Sequence, residues 1–262
     1  MTLLVGAIFP SEELLGPFIP SALRQLSPQT GVIIAADSRW TFPSGRTEDG
    51  AVKVFGVHAN GLGAYAGSAA AGEDVIIRLS TDALAGDTIE EFTSRVRSII
   101  ADAWLAHQPN EDGLEILFGY SQPSGYAWLG HFSSLDDFEP HHVPNLELIG
   151  PERATIHFAQ ALRAAVIENR ERTKTTAQSI SIDSSATLIC AVINDVCELQ
   201  THEKVGGKIL CAVTMFGLPR GLGFTRIRPG PSGITVDEIG LDAKEGQTLR
   251  PGFNYVPPSE DI

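Results

Sequence analysis

The sequence predicts an α+β fold in which two mainly antiparallel sheets lie face to face between layers of helices. Three observations predict it. Patterned segments run in the order strands, two helices, strands, one helix, strands, so helices and strands are segregated instead of alternating. Apolar strand segments meet across short polar turns, as around Gln122-Pro123-Ser124-Gly125. The length of 262 residues, with 43% hydrophobic and 19% charged content, suits one large domain with an ample core.

Each element has its own signal. Residues 32–36 are an unbroken apolar run that ends in Asp37-Ser38-Arg39, a buried strand with a polar exit. Residues 51–57 read as a second strand with Lys53 inside it. A lysine there is costly unless it has a partner, and Asp37 is the natural candidate. Residues 61–67 form a third strand of small residues, and Ser68 starts an Ala-rich helix over 69–84 carrying Val75, Ile76, Ile77 and Leu79. Thr88-Ile89-Glu90-Glu91 is a capping box, followed by Phe92, Val96, Ile99, Ile100 and Trp104 at helical spacing. Strands over 114–120 and 126–132 come next. Pro151 opens a third helix, with Phe158, Leu162, Ala165 and Val166 as its apolar stripe. Residues 188–193 and 196–200 read as a closing hairpin around Asn194-Asp195, and 208–216 as a strand. Beyond it, Gly- and Pro-rich turns run to Pro257-Pro258.

Composition excludes several classes of function. Net charge is −13, with a pI near 4.9, which argues against a nucleic-acid backbone or an anionic membrane as partner. Mean hydropathy is +0.04, and no window approaches the roughly 20 apolar residues of a membrane span. The N-terminus lacks the basic region and cleavage pattern of a signal peptide. Cys190, Cys197 and Cys211 form no CxxC motif and read as buried, reduced residues, which fits the cytoplasm. Gly206-Gly207-Lys208 is not a phosphate loop, because the upstream glycine spacing is wrong and Ile209 follows the lysine. His141 and His142 are adjacent and point apart on an extended chain, so neither a metal nor a cofactor is expected. Asp136, Asp137 and Glu139 read as a solvated acidic loop, and Arg153, Arg163 and Arg170 as a polar helix face.

One constellation carries chemistry. Lys53 follows Asp37 by 16 residues (53 − 37), Gly67 follows Lys53 by 14 (67 − 53), and Thr2 is terminal once Met1 is removed. A threonine hydroxyl needs a base, and a free α-amino group with a pKa of roughly 7.7–8.0 can supply one. A lysine beside that amine favours its neutral form, and an aspartate beside the lysine keeps it charged and oriented. Gly67, at a strand–helix junction, can offer a backbone N–H to a developing oxyanion. Each feature alone has a plainer reading: threonine at position 2 is common, Asp-Ser-Arg also makes a turn with a surface ion pair, and Gly67-Ser68 also makes a helix start with a serine cap.

Taken together, these residues resemble the proteasome-type β-subunits, a family that includes the bacterial ancestral β-subunits. The resemblance covers about residues 2–200 and is densest in the first seventy. It implies the four-layer αββα sandwich of N-terminal nucleophile (Ntn) hydrolases. Its implied roles are nucleophile for Thr2, charged pair for Asp37 and Lys53, and oxyanion donor for Gly67. Trp40, Thr41, Tyr65 and Ala69 fall where the family contacts the substrate backbone or lines its first specificity pocket. Two bulky aromatics, Trp40 and Tyr65, would constrict that pocket. The implied activity is peptide-bond cleavage through an acyl-enzyme ester after Met1 removal, by a cytoplasmic homo-oligomer such as a ring. Peptide or unfolded protein is then the substrate, and an ATP-dependent unfoldase is admitted as partner. A catalytically inactive subunit kept for structure or interaction, or an amidase acting on a small non-peptide amide, is the alternative.

The chain departs from the family in three places. Thr2 and Asp37 are 35 residues apart (37 − 2), where the family has a short hairpin. The excess is an insertion at about 9–28 whose Pro10, Pro17, Pro20 and Pro28 rule out one long helix, although 21–26 can form a short one. An interface or lid role is expected for it. Leu148-Ile149-Gly150-Pro151 stands where the family has Ile-Gly-Ser-Gly, so a supporting serine is missing. The family's Asp-x-x-Ser-Gly-Gly is expected near 181–187, with Asp183 and Ser185 as supporting residues in a shifted register. The other reading of that segment is a polar turn before a strand. Residues 1–204 are then the hydrolase domain, and 205–262 an atypical extension packed on the same domain or on a neighbour.

Overall fold

Alternation along the first strand sets the layering. Leu3, Val5 and Ala7 face one way and Leu4 and Ile8 the other, all fully buried, so this strand has apolar neighbours on both faces. The structure, a computed structural model, describes residues 2–11, 14, 30–41, 44–49, 51, 53–58, 61–81, 89–107, 113–176, 182–199, 205–207, 209–215, 218–230, 233–238 and 254–255.

Strands β1 (Leu4–Phe9), β2 (Gly31–Asp37), β3 (Arg39–Thr41), β4 (Thr47–Asp49), β5 (Val54–His58) and β6 (Gly61–Gly67) come first. Helices α1 (Ala69–Thr81) and α2 (Ile89–His107) follow, then β7 (Leu114–Ser121), β8 (Ala127–Ser133), β9 (His141–His142) and β10 (Leu146–Ile149). After α3 (Glu152–Thr176) and α4 (Ile182–Glu198) the chain returns to strands: β11 (Ile209–Met215), β12 (Leu218–Gly230), β13 (Gly233–Glu238) and β14 (Asn254–Tyr255). One sheet has the order β10-β1-β2-β11-β12-β13, with β14 parallel on β12. The other has the order β5-β6-β7-β8-β9, and β3–β4 is a separate ribbon. Every pairing except β12–β14 is antiparallel.

Three apolar cores separate four layers. Phe158, Leu162 and Val166 of α3, with Ile189, Ile193 and Val196 of α4, pack on the first sheet. Val75 and Leu79 of α1, with Phe92, Val96 and Ile100 of α2, pack on the second. Between the sheets, Leu4, Ile8, Val32 and Ile34 meet Leu62, Leu117 and Leu129. The sheets approach closely where Gly119 lies against Val32, since a Cβ there would stand 2.4 Å from its Cγ1. The expected αββα sandwich is the observed one. Among the described residues no helix is long and apolar enough to cross a membrane.

Two expectations are corrected. Residues 188–193 and 196–200 are not a hairpin. Residues 188–193 and 196–198 belong to α4, which continues through Asn194-Asp195 to Glu198, and Gln200 lies outside the described residues. The helix's buried positions Ile182, Ala186, Ile189, Cys190, Ile193 and Val196 recur every three or four residues, a helical period that the short, wholly apolar run Leu188-Ile189-Cys190-Ala191-Val192-Ile193 conceals. Leu218–Gly230 is not a run of turns but a strand paired with β11 and β13. Its glycines and prolines stand at ladder positions such as Thr214↔Pro219 and Pro229↔Ile234. β11, the first strand of the expected extension, lies inside the first sheet and pairs with β2 from Ile209↔Asp37 to Met215↔Gly31. Thr88 of the expected capping box lies outside the described residues, as does most of the 9–28 insertion. Its Leu14 is 3% exposed and packs into the core under α3 and α4.

A polar cross-link joins the sheets at one edge. His131 of β8 bonds Glu115 of β7 through Nε2, and its Nδ1 is 3.7 Å from Glu147 Oε1 of β10. Burial lowers the His131 pKa, but the Glu115 hydrogen bond and the Glu115, Glu147 and Asp136 charges outweigh it and hold the imidazolium above its usual range. A raised folded-state pKa contributes stability that is present below about 6.5 and is lost as pH rises through the folded value. The stability gap between the wild type and His131→Gln is therefore expected to be widest in mild acid and to close in mild base. Urea unfolding across that range checks it, and a gap independent of pH would remove the charged cross-link.

Candidate active site

Strand register brings the N-terminus to the end of β2. Leu4 pairs with Ala36, so Leu3 stands opposite Asp37: Leu3 N donates to Asp37 Oδ1 at 2.7 Å, and Asp37 N donates to Leu3 O at 3.2 Å. Thr2 is the next residue and is 5% exposed. Lys53 enters from the second sheet, where Tyr65 N donates to its carbonyl at 3.3 Å. Its Nζ donates to Thr2 Oγ1 at 2.5 Å and to the Arg39 carbonyl, and lies 3.9 Å from Asp37 Oδ1. Thr2, Asp37 and Lys53, predicted from widely separated segments, are brought together.

Burial pushes both members of the pair toward their neutral forms, and their neighbours oppose it. Asp37 is fully buried, which raises its pKa; Lys53 and the backbone N–H groups of Gly206, Leu3 and Arg39 oppose that rise. Its Oδ2 accepts from Gly206 N at 3.0 Å and from Arg39 N at 3.1 Å. Burial lowers the Lys53 pKa, and Asp37 is the largest force opposing it. An ammonium that donates to a hydroxyl and to a carbonyl, with a carboxylate as its neighbouring counter-charge, can stabilise negative charge developing on that hydroxyl oxygen.

Two glycines are required by close approach. Gly67 joins β6 to α1 with φ +95, and a Cβ there would meet the Gly113 carbonyl oxygen at 1.8 Å. Ser68 N donates to that same oxygen at 3.0 Å, and Ser68 Oγ caps α1 through Ala71 N at 3.5 Å. Gly150 has φ +151, and a Cβ there would stand 2.6 Å from the Thr2 carbonyl oxygen. The Leu148–Pro151 segment thus borders Thr2, with no hydroxyl side chain.

Other predicted residues are placed differently. Tyr65 is 2% exposed and packs in the core beneath α1, where a Cβ on Gly72 would meet its ring at 2.3 Å. Ala69 is half-buried at the start of α1. Thr41 ends β3, with its Oγ1 buried and lacking a hydrogen-bond partner among the described residues. The Trp40 side chain lies outside the described residues, and Tyr65 sits in the core, so the described residues show no aromatic constriction by this pair. Ser185 is buried in the first turns of α4, and its Oγ has no partner among the described residues. The start of α4 lies by Gly31, where a Cβ would meet Ile182 Cδ1 at 2.5 Å, and Asp37 ends the same strand roughly 20 Å away. Asp183 and Ser185 therefore stand at the far end of β2 from Thr2.

The segment that does meet Asp37 is Val205-Gly206-Gly207, and sequence reasoning passed over it. The signal is the glycine pair itself, which in sequence reads only as a failed phosphate loop. Val205, directly before the glycine pair, carries no hydroxyl, and 200–204 lie outside the described residues. Cys197, read from the sequence as a buried, reduced residue, is a free thiol near the end of α4. Burial and the Asp37 charge push its thiol up to about 12, so it is not a nucleophile at neutral pH.

Solved structures share this fold. The ancestral β-subunit Anbu from Yersinia bercovieri matches with a TM-score of 0.56 at 10% identity, covering 93% of this chain and 91% of that one. A Gly-1 mutant of Anbu from Hyphomicrobium sp. strain MC1 matches with a TM-score of 0.52 at 13% identity, covering 82% of each chain. At these identities the likeness is one of fold, and the fold is proteasome-like. No protein-family model and no curated protein matches the chain.

Proposed function

We propose that the chain is an N-terminal-threonine amide hydrolase whose nucleophile is Thr2 Oγ1 once Met1 has been removed. The observation that carries this reading is the buried donation from Lys53 Nζ to Thr2 Oγ1, backed by Asp37. In the reaction, the freed α-amine of Thr2 takes the hydroxyl proton as Oγ1 attacks the carbonyl carbon of the amide. Lys53 stabilises charge on Oγ1, and the Gly67 N–H receives the tetrahedral oxyanion. The resulting ammonium protonates the departing amine and leaves an ester on Thr2. Water, deprotonated by the same amine, then releases the acid. Peptide or unfolded protein is the proposed substrate, taken by a cytoplasmic homo-oligomer with an ATP-dependent unfoldase as its candidate partner.

A second reading, a non-catalytic subunit, is favoured by one observation: Gly150-Pro151 puts no hydroxyl where the resembled family keeps a supporting serine. Intact-protein mass spectrometry separates the two. The purified chain is weighed before and after exposure to a peptide epoxyketone, which requires both a terminal amine and the threonine hydroxyl. Loss of Met1 with a single adduct, absent in Thr2→Ala, supports the hydrolase. Retained Met1, or a processed chain that takes no adduct, supports the non-catalytic reading. An adduct without peptide turnover moves the substrate to a small amide.

A further inference from the structure

The β3–β4 ribbon takes no part in the reaction just described, yet it holds the charged pair from outside. Arg39 donates its backbone N–H to Asp37 Oδ2 and gives its carbonyl to Lys53 Nζ. Its guanidinium is forked by Asp49, its register partner across the ribbon, with Nε to Oδ1 at 2.8 Å and Nη2 to Oδ2 at 3.3 Å. The remaining nitrogen, Nη1, donates to Val205 O at 3.3 Å. One residue later, Gly206 N donates to Asp37 Oδ2 at 3.0 Å. The fit is tight: a Cβ at 206 would stand 2.6 Å from the Arg39 Cζ, and one at 207 would stand 2.6 Å from Ser38 Oγ and 2.9 Å from Asp49 Cγ.

We propose that Asp49 is a positioning residue: by fixing the Arg39 guanidinium it seats residues 205–207 on Asp37 and so keeps Lys53 charged against Thr2. The consequence for catalysis rests on the reading of Thr2 as nucleophile, whereas the seating does not. Asp49 has a side chain 48% exposed, and an ordinary surface pair of that kind contributes little to stability and nothing to a buried lysine. This pair differs because its third arm ends one residue from a hydrogen bond to the lysine's counter-ion. Losing Asp49 removes the fork that orients the Arg39 guanidinium toward Val205, the Gly206 N–H withdraws, the Asp37 carboxylate weakens, and Lys53 gives up its proton more readily. The direct attraction between Asp49 and Lys53 acts in the same direction, so the two are separated by salt, which screens an exposed charge and leaves a buried hydrogen bond intact.

The titration of Lys53 is the readout, followed by NMR of labelled lysine side chains in the full chain. In Asp49→Asn its midpoint is expected to fall by about one pH unit, in high salt as well as low. Asp49→Glu is expected to restore it. Arg39→Lys, which keeps the charge but cannot span Asp49 and Val205, should reproduce the fall. The rate of epoxyketone adduct formation at Thr2 should drop about tenfold on its alkaline limb, which moves with the Lys53 midpoint. An unmoved midpoint in Asp49→Asn, or a shift that vanishes in salt, overturns the proposal even if the variant melts earlier. A wild type that takes no adduct defeats the proposed function, and the Lys53 titration still decides the positioning role.

Discussion

Lys53→Ala is expected to leave a chain that takes no adduct at Thr2 and is about 3–5 kcal/mol less stable than the wild type. The loss of reactivity follows from geometry, because Lys53 is the donor to Thr2 Oγ1. The loss of stability follows from what remains: a fully buried Asp37 with backbone donors and no counter-charge. Those three N–H groups soften the penalty, so the lower part of the range is expected. The pH dependence has a definite sign. Without Lys53 the Asp37 pKa rises further, and a raised carboxyl contributes stability that is fully present below its unfolded value of about 3.8 and lost as pH rises through the folded value. The deficit of Lys53→Ala should therefore shrink in acid. The double variant Lys53→Met with Asp37→Asn removes both charges and should recover most of the stability while remaining unreactive. Urea unfolding with adduct mass spectrometry on the three proteins checks this. A double variant as unstable as the single one would show that the pair is not held against burial.

Gly67→Ala is expected to cost about 3–5 kcal/mol, at the severe end for a single added methyl group. Two independent effects combine there. A φ of +95 is strained for any residue with a Cβ, and that Cβ would lie 1.8 Å from the Gly113 carbonyl oxygen. The obstacle is backbone, and the same oxygen accepts the Ser68 N–H that begins α1, so relief would have to move the β6–α1 junction. The displaced N–H should also slow adduct formation. Denaturation of the wild type and variant measures the first effect, and adduct kinetics the second. A cost under about 1 kcal/mol would show that the junction relaxes and would remove the steric case for glycine at this position.

Much of this was legible in the sequence because burial leaves a periodic mark. The strands around Ile33 and Phe118 and the helices carrying Val96 and Phe158 were readable from spacing alone. Lys53 was readable for the opposite reason: a charge inside an apolar strand needs a partner. The failures came where local pattern is ambiguous. The run Leu188–Ile193 suits a strand or one side of a helix, and only its packing against β2 decided for α4. Pro219 and Pro229 suggested turns because sequence does not reveal which ladder position a residue will occupy.

By itself, then, the sequence determined the layer order and the three residue types that can form a buried nucleophile with its charged pair. Tertiary structure decided what supports that pair. Gly206 reaches Asp37 across 169 positions of chain because β11 pairs with β2 in a register that starts at Ile209↔Asp37. The same register leaves the start of α4, with Asp183 and Ser185, at the Gly31 end. Periodicity records which face of an element is buried; which distant backbone N–H arrives at a carboxylate is set by strand register, and register is a property of two segments at once.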